Sequence, residues 1–443
     1  MNSKKTQNKK AVRSVSNATM LILTAVIVIL GIMIIVVKSK NKDKQTGADA
    51  GTISTVTTPT LVTTPPPTTT VTTVTEPAPV YVPTITNKGG ATYVDGVLVV
   101  NKSYPLSNTY QPQNDNAAIN ELIESAKNDG VSLDIGLGYV SYNKQKIKYH
   151  AMQIMTERGD AGVSEVERPG FSEHQSGLAY DILSDGRSIA NNIPAQDWLD
   201  KNASKFGFII RYPKGKETIT GYEYEPGHIR YVGKEFAKTL NETGLTIEEY
   251  FGITSVYAQK DYVYKPEITV VDGLSYVDGI LLANKTYSLP SSYNIGVDST
   301  AGAAVDELIQ ASANDGINLF VCSGFRSYLT QKNLYQSYVN RDGQAAADTY
   351  SARPGYSEHQ TGLAFDMNNA SSSFNNTKEA KWLAENCYKY GFIIRYPQGK
   401  ESITGYQYES WHIRYVGTDL AKAIHDTDLT LEEFFGITSR YAD

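Results

Sequence analysis

The sequence predicts an α+β fold, repeated as two tandem copies of one small domain, each built around an antiparallel sheet. Two observations carry this. The 443-residue chain repeats itself at an offset of about 183 residues. YVDGVLVVNKSY from Tyr93 returns as YVDGILLANKTY from Tyr276, and GFIIRYPKGKETITGYEYEPGHIRYVG (207–233) returns as GFIIRYPQGKESITGYQYESWHIRYVG (391–417). LTIEEYFGIT (245–254) and LTLEEFFGIT (430–439) close the two copies. The offset far exceeds any solenoid period, so this is a duplicated domain and not a repeat array. Within each copy, helical and strand-like runs do not alternate strictly as βαβ, which favours a small antiparallel sheet over a parallel one.

Ahead of the repeats, residues 1–17 read as a cytoplasmic tail. The stretch 18–37 is an unbroken apolar and small-residue run long enough to cross a hydrocarbon core. Lys4, Lys5, Lys9, Lys10 and Arg13 precede it and favour a cytoplasmic N-terminus. The run is too long for a cleaved signal's apolar region and no clear A-x-A site follows, so an uncleaved single-pass anchor is expected. No Cys lies near it, which excludes a thiol-linked lipid anchor. Residues 38–90, rich in Thr, Pro and Val from residue 45 on, cannot bury enough surface to fold and read as a disordered stalk. The domains are thus expected outside the cell membrane, as 91–258 and 259–443.

Charge narrows the partners. The first 44 residues carry nine Lys/Arg against one Asp, while the whole chain is at −6, so the remainder is strongly acidic. Such a body argues against a nucleic-acid partner.

In the second copy, Val305, Leu308 and Ile309 fall at helical spacing between the cap candidates Ser299/Thr300 and Gly316. INLFVCSG (317–324) reads as a buried strand, and Ser327 opens a helix toward Tyr338. Residues 377–390 form a helix stopped by Gly391. FIIRYP and HIRYV read as short strands.

Chemistry concentrates in a few residues. Of six His, four sit in two matching constellations: His174, Asp181, Glu225 and His228 in the first copy, His359, Asp366, Glu409 and His412 in the second. Two imidazoles and a carboxylate make a three-ligand zinc site with an open fourth position, and a free Glu beside it is the usual general base. One Zn²⁺ per domain is therefore expected. Cys322 and Cys387 are present together in the second copy, where the first has Gly136 and Ala203, which favours a disulfide between them over two buried thiols.

SGFRS (323–327), RPGYSEHQTGLAFD (353–366) and ESWH (409–412) resemble the zinc-dependent D-alanyl-D-alanine carboxypeptidases of the VanY type, which group structurally with D-Ala-D-Ala dipeptidases and the Hedgehog signalling domain. The resemblance spans about 115–235 and about 301–420. It implies that His359, Asp366 and His412 are zinc ligands, with His174, Asp181 and His228 their counterparts. It makes Glu409 the base, with Glu225 its first-copy counterpart, and Arg326 a cation that steadies charge on the reacting carbonyl or the substrate carboxylate. Gln331, Ser357 and Trp411 become second-layer or pocket-wall residues that bind substrate. The implied partners are peptidoglycan stem peptides. The first copy departs from the pattern: Val140 stands at the Arg326 position and Gly227 at that of Trp411, so a weak, inactive or binding-only site is expected there.

Overall fold

In the computed structural model, residues 81–113, 116–259 and 261–442 are described. The anchor at 18–37 and nearly all of the stalk lie outside them. Among the described residues no helix is long and apolar enough to cross a membrane.

Each repeat opens with a small hairpin sheet, followed by a helix and a larger antiparallel sheet. The first repeat runs β1 (Ile85–Lys88), β2 (Ala91–Val94), β3 (Val97–Val99), α1 (Asn116–Asn128), β4 (Asp134–Leu137), α2 (Tyr142–Arg158), β5 (Ala179–Ser184), β6 (Arg187–Ser188) and α3 (Ile193–Asn202). It finishes with β7 (Phe208–Tyr212), α4 (Glu217–Thr220), β8 (Glu225–Tyr231), α5 (Lys234–Thr243) and α6 (Ile247–Phe251). The second runs β9 (Ile268–Val271), β10 (Leu274–Val277), β11 (Ile280–Leu281), α7 (Ser299–Asn314), β12 (Val321–Ser323), α8 (Tyr328–Asp342), α9 (Gln344–Tyr350) and β13 (Ala364–Met367). There follow α10 (Lys378–Asn386), β14 (Phe392–Tyr396), α11 (Glu401–Thr404), β15 (Glu409–Tyr415), α12 (Thr418–Thr427) and α13 (Leu431–Phe435).

The larger sheets have the order β4-β5-β8-β7, with β6 paired to β5, and β12-β13-β15-β14. Every pairing is antiparallel, as the sequence predicts. One face of the second sheet meets α7 and α10 through Val305, Leu308, Phe365, Leu383, Phe392 and Ile413, all buried. The first sheet repeats this with Ile119, Leu122, Ile182, Leu199, Phe208 and Ile229.

Four expectations need correction. The folded region starts before residue 91: β1 pairs with β2 from Ile85↔Val94 to Lys88↔Ala91, so the last residues assigned to the stalk belong to a sheet. The α7 cap is Asp298, whose carboxylate accepts from the amides of Thr300 and Ala301 at 2.9 Å. Only Val321–Ser323 of INLFVCSG is strand, and Val321 and Cys322 are exposed because β12 is an outer strand. Last, Cys322 and Cys387 are free. Cys322 lies on β12 while Cys387 packs beside β14, the opposite edge of the four-stranded sheet. Three inter-strand spacings of about 4.8 Å separate those edges, beyond the roughly 7 Å Cα limit of a disulfide.

The repeats share a core. Ile147 and Ala151 of α2 pack with Ile393, Leu420, Ile424 and Phe434 of the second repeat. Lys146 Nζ meets Asp278 Oδ1 at 2.6 Å with both side chains buried, and Tyr264 donates to the same carboxylate at 2.7 Å. The His150 ring stacks on Tyr264 at 3.6 Å, and its Nε2 contacts the Phe434 carbonyl at 2.9 Å. In α8, the matching helix, the equivalents of Ile147 and Ala151 are Asn333 and Ser337. Asn333 and Ser337 are exposed, so the apolar pair is present in the copy where that face is covered and absent where it is not.

Candidate active site

Strand register brings the second-copy residues together. Asp366 on β13 lies directly opposite His412 on β15, and Ser323 on β12 opposite Asp366. His359 arrives on a 3-10 turn, Glu358–Thr361, that ends at Gly362. Gly362 has φ 72°, and a Cβ there would lie 2.2 Å from the Gly296 carbonyl oxygen, so only glycine permits this turn. His359 Nε2 is 3.2 Å from Asp366 Oδ2, and His412 Nδ1 is 3.0 Å from Asp366 Oδ1. The three ligand atoms lie within 4.8 Å of one another.

The surroundings set which nitrogen each ring offers. His359 Nδ1 contacts the Gly324 carbonyl at 2.7 Å; donating there leaves Nε2 for a metal. Burial depresses the His359 imidazole, favouring the neutral form that ligates. His412 is turned the other way: its Nε2 faces Glu358 Oε2 at 3.4 Å, leaving Nδ1 toward Asp366. Burial works against charge on Glu358, yet the Arg395 and Arg414 guanidiniums, at 2.8 and 3.0 Å from its Oε1, hold it well below the carboxylate range. Burial likewise opposes charge on His412, but its hydrogen bonds to Asp366 and Glu358 prevail and raise it to about 9. An imidazole pair and a carboxylate, oriented by a carbonyl and a buried carboxylate, form a donor set that fits zinc.

Glu409 stands at the start of β15, buried and outside the ligand triad. Desolvation pushes its carboxyl up to about 8, with His412 partly offsetting and Asp366 adding to the rise. Arg326 donates from Nη1 to Gln331 Oε1 at 2.9 Å and from Nη2 to Ser323 Oγ at 3.0 Å, and Nη2 lies 3.7 Å from Asp366 Oδ2. Gln331 spends its amide on the Ala352 carbonyl at 2.6 Å and the Ser351 hydroxyl at 3.3 Å, so it braces Arg326 from within the wall. Ser357 is buried beside His359 and makes no capping bond to the turn. Trp411 belongs to the core cluster with one side on the cavity. These residues line a cavity of about 630 Å³, within the range that accepts a small ligand.

In the first copy the ligand frame is preserved. Asp181 pairs with His228 across β5 and β8; His174 Nε2 and His228 Nδ1 lie 3.3 and 2.9 Å from Asp181 Oδ1. His174 Nδ1 contacts the Gly138 carbonyl at 2.8 Å. The rest differs. The Asp181 side chain is 38% exposed against 6% for Asp366, and Glu225 is 47% exposed where Glu409 is buried. Val140 is buried in place of Arg326, and the Arg326 partner Ser323 becomes Leu137. At Gly227 a Cβ would approach the Ile182 carbonyl oxygen to 2.9 Å, so no larger residue replaces Trp411 without a backbone shift.

Sequence reasoning missed Glu358, Arg395, Arg414 and their first-copy counterparts Glu173, Arg211 and Arg230. The signal was available: each lies inside a run kept in both copies, SEHQ, FIIRY and HIRY.

The sequence profile of the VanY family, described as D-alanyl-D-alanine carboxypeptidase, matches residues 109–234 and again 294–418, more than half of the chain. The chain belongs to this family. A Bacillus subtilis (strain 168) relative described as "Putative carboxypeptidase YodJ" is 40% identical over 201 residues, spanning 39% of this chain and 74% of the relative. A solved Streptococcus structure titled as an L,D-carboxypeptidase, DacB, is 46% identical over 40% of this chain and 99% of its own, with a TM-score of 0.37. A solved VanY D,D-pentapeptidase in complex with Zn(II) is 35% identical over 34% of this chain and 96% of its own, with a TM-score of 0.32. As a VanY-family member the chain is a peptidase, and both matched segments contain a complete ligand triad.

Proposed function

We propose that the second repeat is a zinc carboxypeptidase that removes the terminal D-alanine from peptidoglycan stem peptides. The observation that carries the reading is Glu409: a buried carboxyl beside a complete ligand triad, facing a cavity and bound to none of the triad. His359, Asp366 and His412 would hold the zinc, which when bound supplies Lewis acidity to the scissile carbonyl and the attacking water. Glu409 takes the proton of the attacking water as the C–O bond forms and delivers it to the leaving amine as the C–N bond breaks. Arg326, fixed by Ser323 and Gln331 beside Asp366, sets a cation where the carbonyl oxygen gains negative charge. Glu358 keeps His412 in the orientation that ligates.

The first repeat, in this reading, binds zinc and hydrolyses weakly or not at all. The apolar run at 18–37, with its basic flank and the Thr/Pro-rich stretch after it, supports a membrane anchor that presents both repeats to the cell wall.

The test is to incubate the full-length protein with defined muropeptides and identify the released fragment by mass spectrometry. Free D-alanine from a pentapeptide, leaving a tetrapeptide, supports the proposal. Release only from a tetrapeptide assigns L,D-cleavage, and no release from either refutes the carboxypeptidase reading.

A further inference from the structure

The cavity above the second triad reaches well past the reacting centre. Its far rim comes from the end of α8 and from α9, where Tyr338, Arg341 and Tyr350 line it. Asp342 grips Arg341: Nε donates to Oδ1 at 3.0 Å and to Oδ2 at 2.9 Å, and Nη2 donates to Oδ2 at 2.7 Å. Tyr350 donates its hydroxyl to the same carboxylate. Tyr338 and Tyr350 meet edge to face at 5.2 Å, and the Arg341 guanidinium lies 5.1 Å from the Tyr338 ring centre. Arg341 lines the cavity and Asp342 does not. The carboxylate therefore braces the guanidinium from behind, and the cavity meets an oriented cation between two tyrosines.

The first copy supplies an internal control. Counting from the shared Ser141/Ser327 and Gln145/Gln331, Met152 replaces Tyr338 and Met155 replaces Arg341. Counting back from Arg168/Arg353, Glu165 replaces Tyr350. The rim exists only in the copy that also has Arg326 and Trp411.

We propose that Tyr338, Arg341 and Tyr350 form an outer subsite for a carboxylate carried by the peptide upstream of the scissile bond. This rests on the reading of the second repeat as a stem-peptide carboxypeptidase and names what that site selects. An Arg held by two of its donors keeps Nη1 for a carboxylate, in a fixed direction that a Met cannot imitate. Two sources offer this chemistry: the free α-carboxyl of γ-linked glutamate and the second carboxyl of diaminopimelate. Each is neutralised by amidation.

The experiment uses the full-length protein and four D-alanine-terminated stem peptides, each as penta- and tetrapeptide, that differ only in which of the two carboxyls is amidated. Wild type, Arg341→Gln and Arg341→Lys are compared by kcat and KM. Amidation at one position is expected to raise the wild-type KM roughly two- to fivefold with little change in kcat, as for one solvent-exposed charged contact. Arg341→Gln erases that difference and Arg341→Lys keeps part of it. The sensitive position identifies which carboxylate is read. No amidation effect in wild type, or one that survives in Arg341→Gln, overturns the subsite. Failure of wild type to cleave any peptide refutes the carboxypeptidase reading instead. Calorimetric affinities of Glu409→Gln for the same peptides then test the rim alone, by the same contrast.

Discussion

His412 Nε2 faces Glu358 Oε2 at 3.4 Å, and the other oxygen of that carboxylate is clasped by Arg395 and Arg414. Arg395 continues to Glu432, at 2.8 and 2.5 Å. The ring of His412, one of the three candidate zinc ligands, is thus tied through two arginines to the sheet and to α13. Glu358→Gln should lower zinc affinity about 10- to 100-fold, because the ring loses its anionic partner. It should also destabilise the fold by about 3–5 kcal/mol, since buried Arg414 loses its one carboxylate partner while Arg395 keeps Glu432. Competitive chelator titration and thermal melts measure the two effects, and unchanged zinc affinity would remove Glu358 from the site.

Zinc binding should release protons. In the metal-free site His412 is raised to about 9 and Glu409 to about 8, so both carry a proton at neutral pH. His412 must lose the Nδ1 proton to ligate, so apparent zinc affinity should climb with pH up to about 9. The stability sign follows. Both folded pKa values exceed the ordinary 6.5 and 4.5, so the metal-free protein loses their contributions as pH rises, over about 6.5–9 for His412 and 4.5–8 for Glu409. Calorimetry at pH 7 in buffers of different ionisation enthalpy counts the protons, and metal analysis should find two ions per chain. A buffer-independent heat contradicts the proton release.

Glu409→Gln should abolish turnover while zinc stays bound, whereas Glu225→Gln should change turnover little. Buried Glu409 and half-exposed Glu225 face their sites so differently that equal losses would mean two working enzymes.

Val140→Arg alone should not awaken the first site. The residue is buried, and the position of the Ser323 hydroxyl is taken by Leu137, so a guanidinium there lacks half of its bracing. A lower melting temperature with no gain in turnover is expected, measured in a Glu409→Gln background; restored hydrolysis would show that the cation alone separates the copies.

Cys322 should react with an alkylating reagent in the native protein and Cys387 only on unfolding. Cys322 is exposed on the outer strand, while burial pushes the Cys387 thiol up to about 12. Mass mapping of the alkylated peptides decides, and equal protection of both thiols would contradict the exposure of Cys322 on the outer strand.

The two candidate metal triads and the Glu beside each were legible because His is scarce in this chain and its spacing recurs, so four residues per copy pointed at one place. Glu358, Arg395 and Arg414 were not, because Glu and Arg are common surface residues and only the folded register shows that they meet. The disulfide expectation failed for a related reason. Joint presence in one copy says nothing about which edge of a sheet each residue occupies. The antiparallel sheet and a few helix ends followed from local pattern, as with Ser327 capping α8 and Gly391 closing the 3-10 turn that follows α10. The shared core was invisible in the motifs, since Ile147 and Ala151 look like the inner face of any amphipathic helix.

That shared core constrains the history of the chain. With Ile147 and Ala151 of α2 packed into the second repeat and Lys146 the buried partner of Asp278, the first repeat is needed whatever becomes of its own chemistry. Deleting it would uncover Leu420, Ile424 and Phe434 and strand a buried Asp278 without its cation. Natural selection can let the first site decay, but it cannot easily discard the domain that holds it.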